Sequence, residues 1–151
     1  MKIILSLIMV LFLSSSEAQT KTGNATQQVV SAFTSTWGPV GSGSSAAVQV
    51  ASIAPAPILV KDAKGNPFPV SSFRINYKFK STYRDDESGQ LKSMSDLRVA
   101  DFSNTAQLSQ VWYESIKDNV KSGDTILINK ILFRNASGKL QFAPDIRIAV
   151  K

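Results

Sequence analysis

The segment Phe73-Arg-Ile-Asn-Tyr-Lys-Phe-Lys-Ser-Thr-Tyr83 alternates apolar and polar side chains with a period of two. Successive side chains of a strand point to opposite sides, so Phe73, Ile75, Tyr77, Phe79 and Tyr83 share one face. Arg74, Asn76, Lys78, Lys80 and Thr82 share the other. A strand of this kind is half-buried. It belongs to a sheet with one solvated side, and such sheets are mostly antiparallel.

The flanking segments extend that sheet. The polar loop Arg84-Asp-Asp-Glu-Ser-Gly-Gln90 reads as a hairpin tip, and residues 91–100 as the returning strand, with Leu91, Met94, Leu97 and Val99 as its apolar positions. The broken alternation at 93–95 predicts a bulge or a late start. Ile58, Leu59 and Val60 predict a short strand ended by the turn cluster over 61–67. Leu108, Val111, Trp112, Ile116 and Val120 follow helical spacing, which predicts a helix beginning behind Ser103, Asn104 or Thr105 and ended by Gly123. On that helix Trp112 falls on the apolar stripe and its neighbour Tyr113 turns toward water. Strands over 125–134 and 139–150 follow, joined by Asn135-Ala-Ser-Gly138; Pro144 has no N–H to donate, so it marks an edge or a bulge where a partner or a second copy could add a strand. The expected fold class is α+β, an antiparallel β-sheet or sandwich-like domain packed on one α-helix.

The chain before residue 58 is of a different character. Lys2, the apolar run over 3–13 and the small residues Ser16 and Ala18 read as a secretory signal peptide over 1–18. The run is too short to cross a bilayer, so no transmembrane segment is expected after cleavage. Residues 19–57 are rich in Ser, Gly and Ala and carry one charged residue, Lys21, which predicts a flexible arm. Within it, 27–37 reads as a short helix and 46–53 as a short strand. Residues 58–151 are the expected domain.

Composition narrows the chemistry. The chain has no histidine and no cysteine, which removes Ser-His triads, thiol nucleophiles, ordinary zinc sites and disulfides together. An exported domain without disulfides is held by its core alone, and a bacterial periplasmic or secreted protein fits that better than a stapled animal one. The acids Asp85, Asp86 and Glu87 share a hairpin tip, where solvated carboxylates are the rule. No enzyme activity, cofactor or metal is expected. The net charge is +6, but the basic residues are scattered, so no nucleic-acid partner is expected either.

Several motifs carry a resemblance. They are Phe68-Pro-Val-Ser-Ser-Phe-Arg-Ile-Asn-Tyr77, the helix start Phe102-Ser-Asn-Thr105, Lys121-Ser-Gly-Asp-Thr-Ile-Leu-Ile-Asn-Lys-Ile131, and the finish from Asn135-Ala-Ser-Gly138 to Ile146-Arg-Ile-Ala-Val150. Together they resemble the C-terminal domain of the GldM family, the periplasmic shaft component of the gliding-motility and type IX secretion motor of Bacteroidetes bacteria. The resemblance covers residues 58–151 and implies a stand-alone exported relative of that module, with another envelope protein as partner. A carbohydrate- or surface-polymer-binding module is the alternative that a sandwich-like strand pattern permits. The candidate partner-binding surface comprises Arg74, Lys78 and Lys80 on the solvated strand face, Tyr113 on the helix, and Trp37, an isolated aromatic that either docks the arm onto its own domain or anchors a partner. Self-association is left open.

Overall fold

The computed structural model describes residues 32–151. The expected signal peptide and the first part of the expected arm, including 27–31 of its helix, lie outside the described residues. In chain order the elements are β1 (Phe33–Trp37), β2 (Gly43–Ser45), α1 (Ala47–Ile53), β3 (Ile58–Asp62), β4 (Pro67–Phe68), β5 (Val70–Arg84), β6 (Leu91–Ser103), α2 (Gln110–Asn119), β7 (Thr125–Arg134), β8 (Leu140–Phe142) and β9 (Ile146–Val150). The fold is α+β and mostly β. It differs from the expected antiparallel sheet or sandwich-like domain on one helix: the described residues form two sheets and two helices.

The larger sheet runs β2-β9-β7-β5-β6, with β8 also paired to β7; the smaller runs β1-β3-β4. β5 is the alternating strand, and its buried positions Phe73, Ile75 and Tyr77 pair across β7 and β6 on one face. β7 buries Ile126, Ile128, Ile131 and Phe133, and β9 buries Ile146, Ile148 and Val150. These side chains join Ile58 and Val60 of β3, Val50 and Ile53 of α1 and Ile116 of α2 in one core. The sheet is not wholly antiparallel. β2 runs parallel to β9, Gly43 opposite Ile148 and Ser45 opposite Val150.

The segment read as a flexible arm is, from residue 32 onward, part of this core. β1 stands where the second half of a helix was expected, and α1 stands where a strand was expected. Trp37 is fully buried, and its indole N–H donates to the Ala56 carbonyl at 3.1 Å. Phe33 packs edge-on to Phe68 and against Phe133, with ring centroids 5.5 and 4.7 Å away, closing the small sheet onto the large one. A Trp and a Phe each bury about 150–250 Å², which outweighs the disorder tendency of the Ser and Gly residues around them. α1 puts Val50 and Ile53 on one side, three residues apart, the spacing of a helical face.

Three other expectations change. The β5–β6 hairpin keeps an unbroken register from Ser72↔Ser103 to Arg84↔Leu91, with no bulge at 93–95. The expected strand over 139–150 is split around Ala143–Asp145 into β8 and β9, with Pro144 at the break. β9 is then covered by β2, so the edges of the large sheet are the three-residue β2 and the long β6. Finally, α2 starts behind Ser109, with no side-chain cap bond; Asn104 adopts a left-handed φ of 57° and the chain bends at Ala106 and Gln107 before the helix begins. Gly123 does not cap the helix, which ends at Val120 in extended geometry. It turns the chain into β7 instead, at φ 93°, with the Asp124 N–H donating to the Lys121 carbonyl at 3.2 Å.

Candidate functional site

The side of the large sheet that faces away from the core is open among the described residues. Pairing fixes who stands beside whom on it. Lys78 of β5 lies between Leu97 of β6 and Thr125 of β7, and Thr125 is followed by Ala149 of β9. One step along, Asn76 lies between Val99 and Leu127, and Leu127 is followed by Arg147. A further step sets Arg74 between Asp101 and Asn129. Lys78, Leu97, Leu127, Thr125, Asn76 and Arg147 line a shallow depression across four strands.

The face is cationic with an aliphatic centre. Leu97 and Val99 are 62% and 47% exposed, which is high for large apolar side chains on a sheet. The acid on this face is already engaged: Arg74 donates from Nε and Nη2 to the two oxygens of Asp101, each at 2.7 Å. That fork holds the Asp101 carboxyl below its usual range, with help from Lys130, and raises the Arg74 guanidinium. Lys78 and Arg147 have no ion-pair partner among the described residues. A hydrogen-bonding Asn76, whose Nδ2 donates to the Leu127 carbonyl at 3.3 Å, pins the strands beneath them.

The sequence-derived residues separate. Arg74 and Lys78 lie on this face as their parity in the strand requires. Lys80 begins beside them but lies past the start of β7, its side chain packed along Gly123. Trp37 is in the core and is no exposed anchor. Tyr113 is half-buried against the core rather than turned to water. Residues of a helix are about 100° apart, so Trp112 and Tyr113, four and three residues before Ile116, both fit an apolar stripe of that width. Val111, five before it, swings outward and is 76% exposed.

The residues missed from sequence are Leu97, Val99, Leu127 and Arg147. Their signal was the hairpin register: a tip closing Arg84 onto Leu91 sets every odd residue of β6 opposite an even, outward residue of β5. Two acids elsewhere have side-chain partners of their own. Asp85 pairs with Lys92 at 2.7 Å and accepts from Ser88, which lowers its pKa. Glu114 accepts from Gln110 at 2.9 Å. Among the described residues no cluster of three or more His, Cys, Asp or Glu is placed to hold a metal. No helix among them is long and apolar enough to cross a membrane.

The fold and this face define a β-rich α+β domain that presents an open, cationic and aliphatic sheet surface. Comparison with known proteins found no matching family model, no matching curated protein and no matching solved structure.

Proposed function

We propose that this protein is a non-catalytic interaction module of the bacterial envelope or the space outside the cell, and that it docks another protein on the open face of its large sheet. The observation that carries the reading is the exposed pair Leu97 and Val99 beside half-buried Leu127, flanked by Lys78 and Arg147. An ordinary solvated face would be polar at those positions. Aliphatic groups rimmed by unpaired cations complement a partner surface that alternates aliphatic residues with Asp and Glu. The GldM-like motifs support an envelope setting linked to gliding or type IX secretion. A polymer-binding face would be built on aromatic platforms; the exposed aromatics Tyr83 and Phe142 stand instead at opposite ends of the sheet, at the hairpin tip and on β8.

A photo-crosslinking residue in place of Leu127 tests the reading in envelope extract. The expected result is one dominant protein adduct that weakens as salt rises and is lost in Lys78→Glu/Arg147→Glu. Adduct formation indifferent to both charge reversals, or retention on glycan beads instead, would overturn it.

A further inference from the structure

We propose that the free edge of β6 pairs antiparallel with β6 of a second copy, about a two-fold axis through Leu97. Thirteen consecutive residues of β6 are in register with β5, without a bulge and without a proline. No described strand lies on the other side. Sheets ordinarily guard such an edge with short strands, bulges, proline, charged side chains or a covering element. Of these β6 has only the charges Lys92, Asp96, Arg98 and Asp101.

Hydrogen bonds at both ends of the hairpin show which backbone groups are free. The N–H of Asp85 donates to the Gln90 carbonyl at 2.9 Å, and that of Asn104 to the Ser71 carbonyl at 2.7 Å. Both belong to the register in which even residues of β6 bond to odd residues of β5. On the far side of β5, the Lys80 N–H turns away from β6 toward Asp124, in keeping with that alternation. Ser93, Ser95, Leu97, Val99 and Asp101 therefore direct their N–H and C=O groups out of the sheet.

Charge selects the register. Asp96 and Arg98 point to the other side of the sheet from Leu97, toward α2. Asp96 accepts from Ser81 Oγ at 2.7 Å; Arg98 donates to Ser115 Oγ at 2.9 Å and lies 5.1 Å from the Phe79 ring centroid. Neither has an ion-pair partner among the described residues. An antiparallel pair centred on Leu97 sets Asp96 opposite Arg98 of the second copy, twice by symmetry. Centring on Asp96 or Arg98 opposes like charges directly, and centring on Ser95 opposes Arg98 to Lys92. Leu97 would meet its own symmetry mate. Val111 of α2, beside a depression lined by Arg98, Val99, Trp112 and Ser115, faces the same edge and would be covered by the second copy. The pairing engages Leu97 at the rim of the docking strip and leaves Lys78, Leu127 and Arg147 uncovered, so each copy keeps the cationic part of that strip.

Sedimentation equilibrium of the purified protein tests the pairing. The parent is expected at twice the mass of one chain. Asp96→Arg and Arg98→Asp should each weaken the dimer on the order of tenfold by opposing like charges, and the double exchange should return it toward the parent value. Leu97→Pro removes an outward N–H and an exposed side chain but no hydrogen bond to β5, and should give a monomer whose circular dichroism matches the parent. A parent that is monomeric at about 100 µM, a dimer indifferent to Leu97→Pro, or a double exchange no better than the single ones would overturn the proposal. Lys78→Glu should leave the dimer intact, which separates its failure from failure of the docking face.

Discussion

The Tyr77 hydroxyl donates to Asp124 Oδ2 across 2.8 Å inside the protein, where Asp124 is 1% exposed. The same carboxylate accepts from the Lys121 N–H at 3.0 Å and the Lys80 N–H at 3.3 Å. The Asp124 carbonyl meanwhile accepts from Val150 N–H at 2.9 Å. One residue thus ties the middle of β5, the turn after α2 and the end of β9. Asp124→Ala strands three donors, and the expected loss is about 2–4 kcal/mol in urea unfolding. Tyr77→Phe strands one acceptor and should cost about 1–2 kcal/mol. Because the two share a bond, the double variant should lose less than the sum.

Stability should also depend on alkaline pH through Tyr77. Burial, then the bond to the Asp124 carboxylate, raises its pKa well above the ordinary 10.0. The folded state therefore keeps a proton that the unfolded state releases. The stabilisation is fully present below pH 10.0 and is lost as pH climbs from there toward the raised value. Urea midpoints measured from pH 8 upward should fall beyond that point, and the fall should be shallower in Tyr77→Phe. Equal slopes in the two proteins would assign the loss to other groups.

Trp37 supplies the test of whether the early segment belongs to the domain. Its side chain is fully buried and its N–H is satisfied by Ala56. Trp37→Ala should cost about 3–5 kcal/mol, the usual range for deleting a core aromatic. A free arm would lose almost nothing. Thermal unfolding followed by tryptophan-independent circular dichroism reads the difference.

What was legible in the sequence follows the strength of local pattern. β5 and β7 were read nearly end to end because one alternates strictly and the other carries two apolar triplets, 126–128 and 131–133, between turn residues. β1 and α1 were not, because their positions are dictated by partners distant in the chain: Phe33 by Phe133, Trp37 by Ala56, Ser45 by Val150. Composition there speaks for a linker, and tertiary burial overrides it. The site was half legible. Strand parity placed Arg74 and Lys78, but Leu97 and Val99 look like core residues until the hairpin register turns them outward. Self-pairing of β6 rests on the same register.

Two glycines separate backbone conformation from crowding. Gly123 at φ 93° has only the flexible end of Lys80 nearby, 3.8 Å from where a Cβ would stand. Gly123→Ala should cost about 1–2 kcal/mol, all of it conformational. Gly38 has φ 53°, and a Cβ there would stand 3.0 Å from the Ala56 Cβ, an atom fixed to the backbone. The Gly38 N–H donates to the Pro57 carbonyl at 2.9 Å and holds the two segments together. Gly38→Ala should therefore cost more, about 2–3 kcal/mol. In an Ala56→Gly background part of that cost should vanish, because the obstructing methyl is gone; a coupling of about 1 kcal/mol is expected. The same background should leave the cost of Gly123→Ala unchanged. Strict additivity at Gly38 would mean that its penalty is wholly conformational and that the Trp37 turn has room to spare.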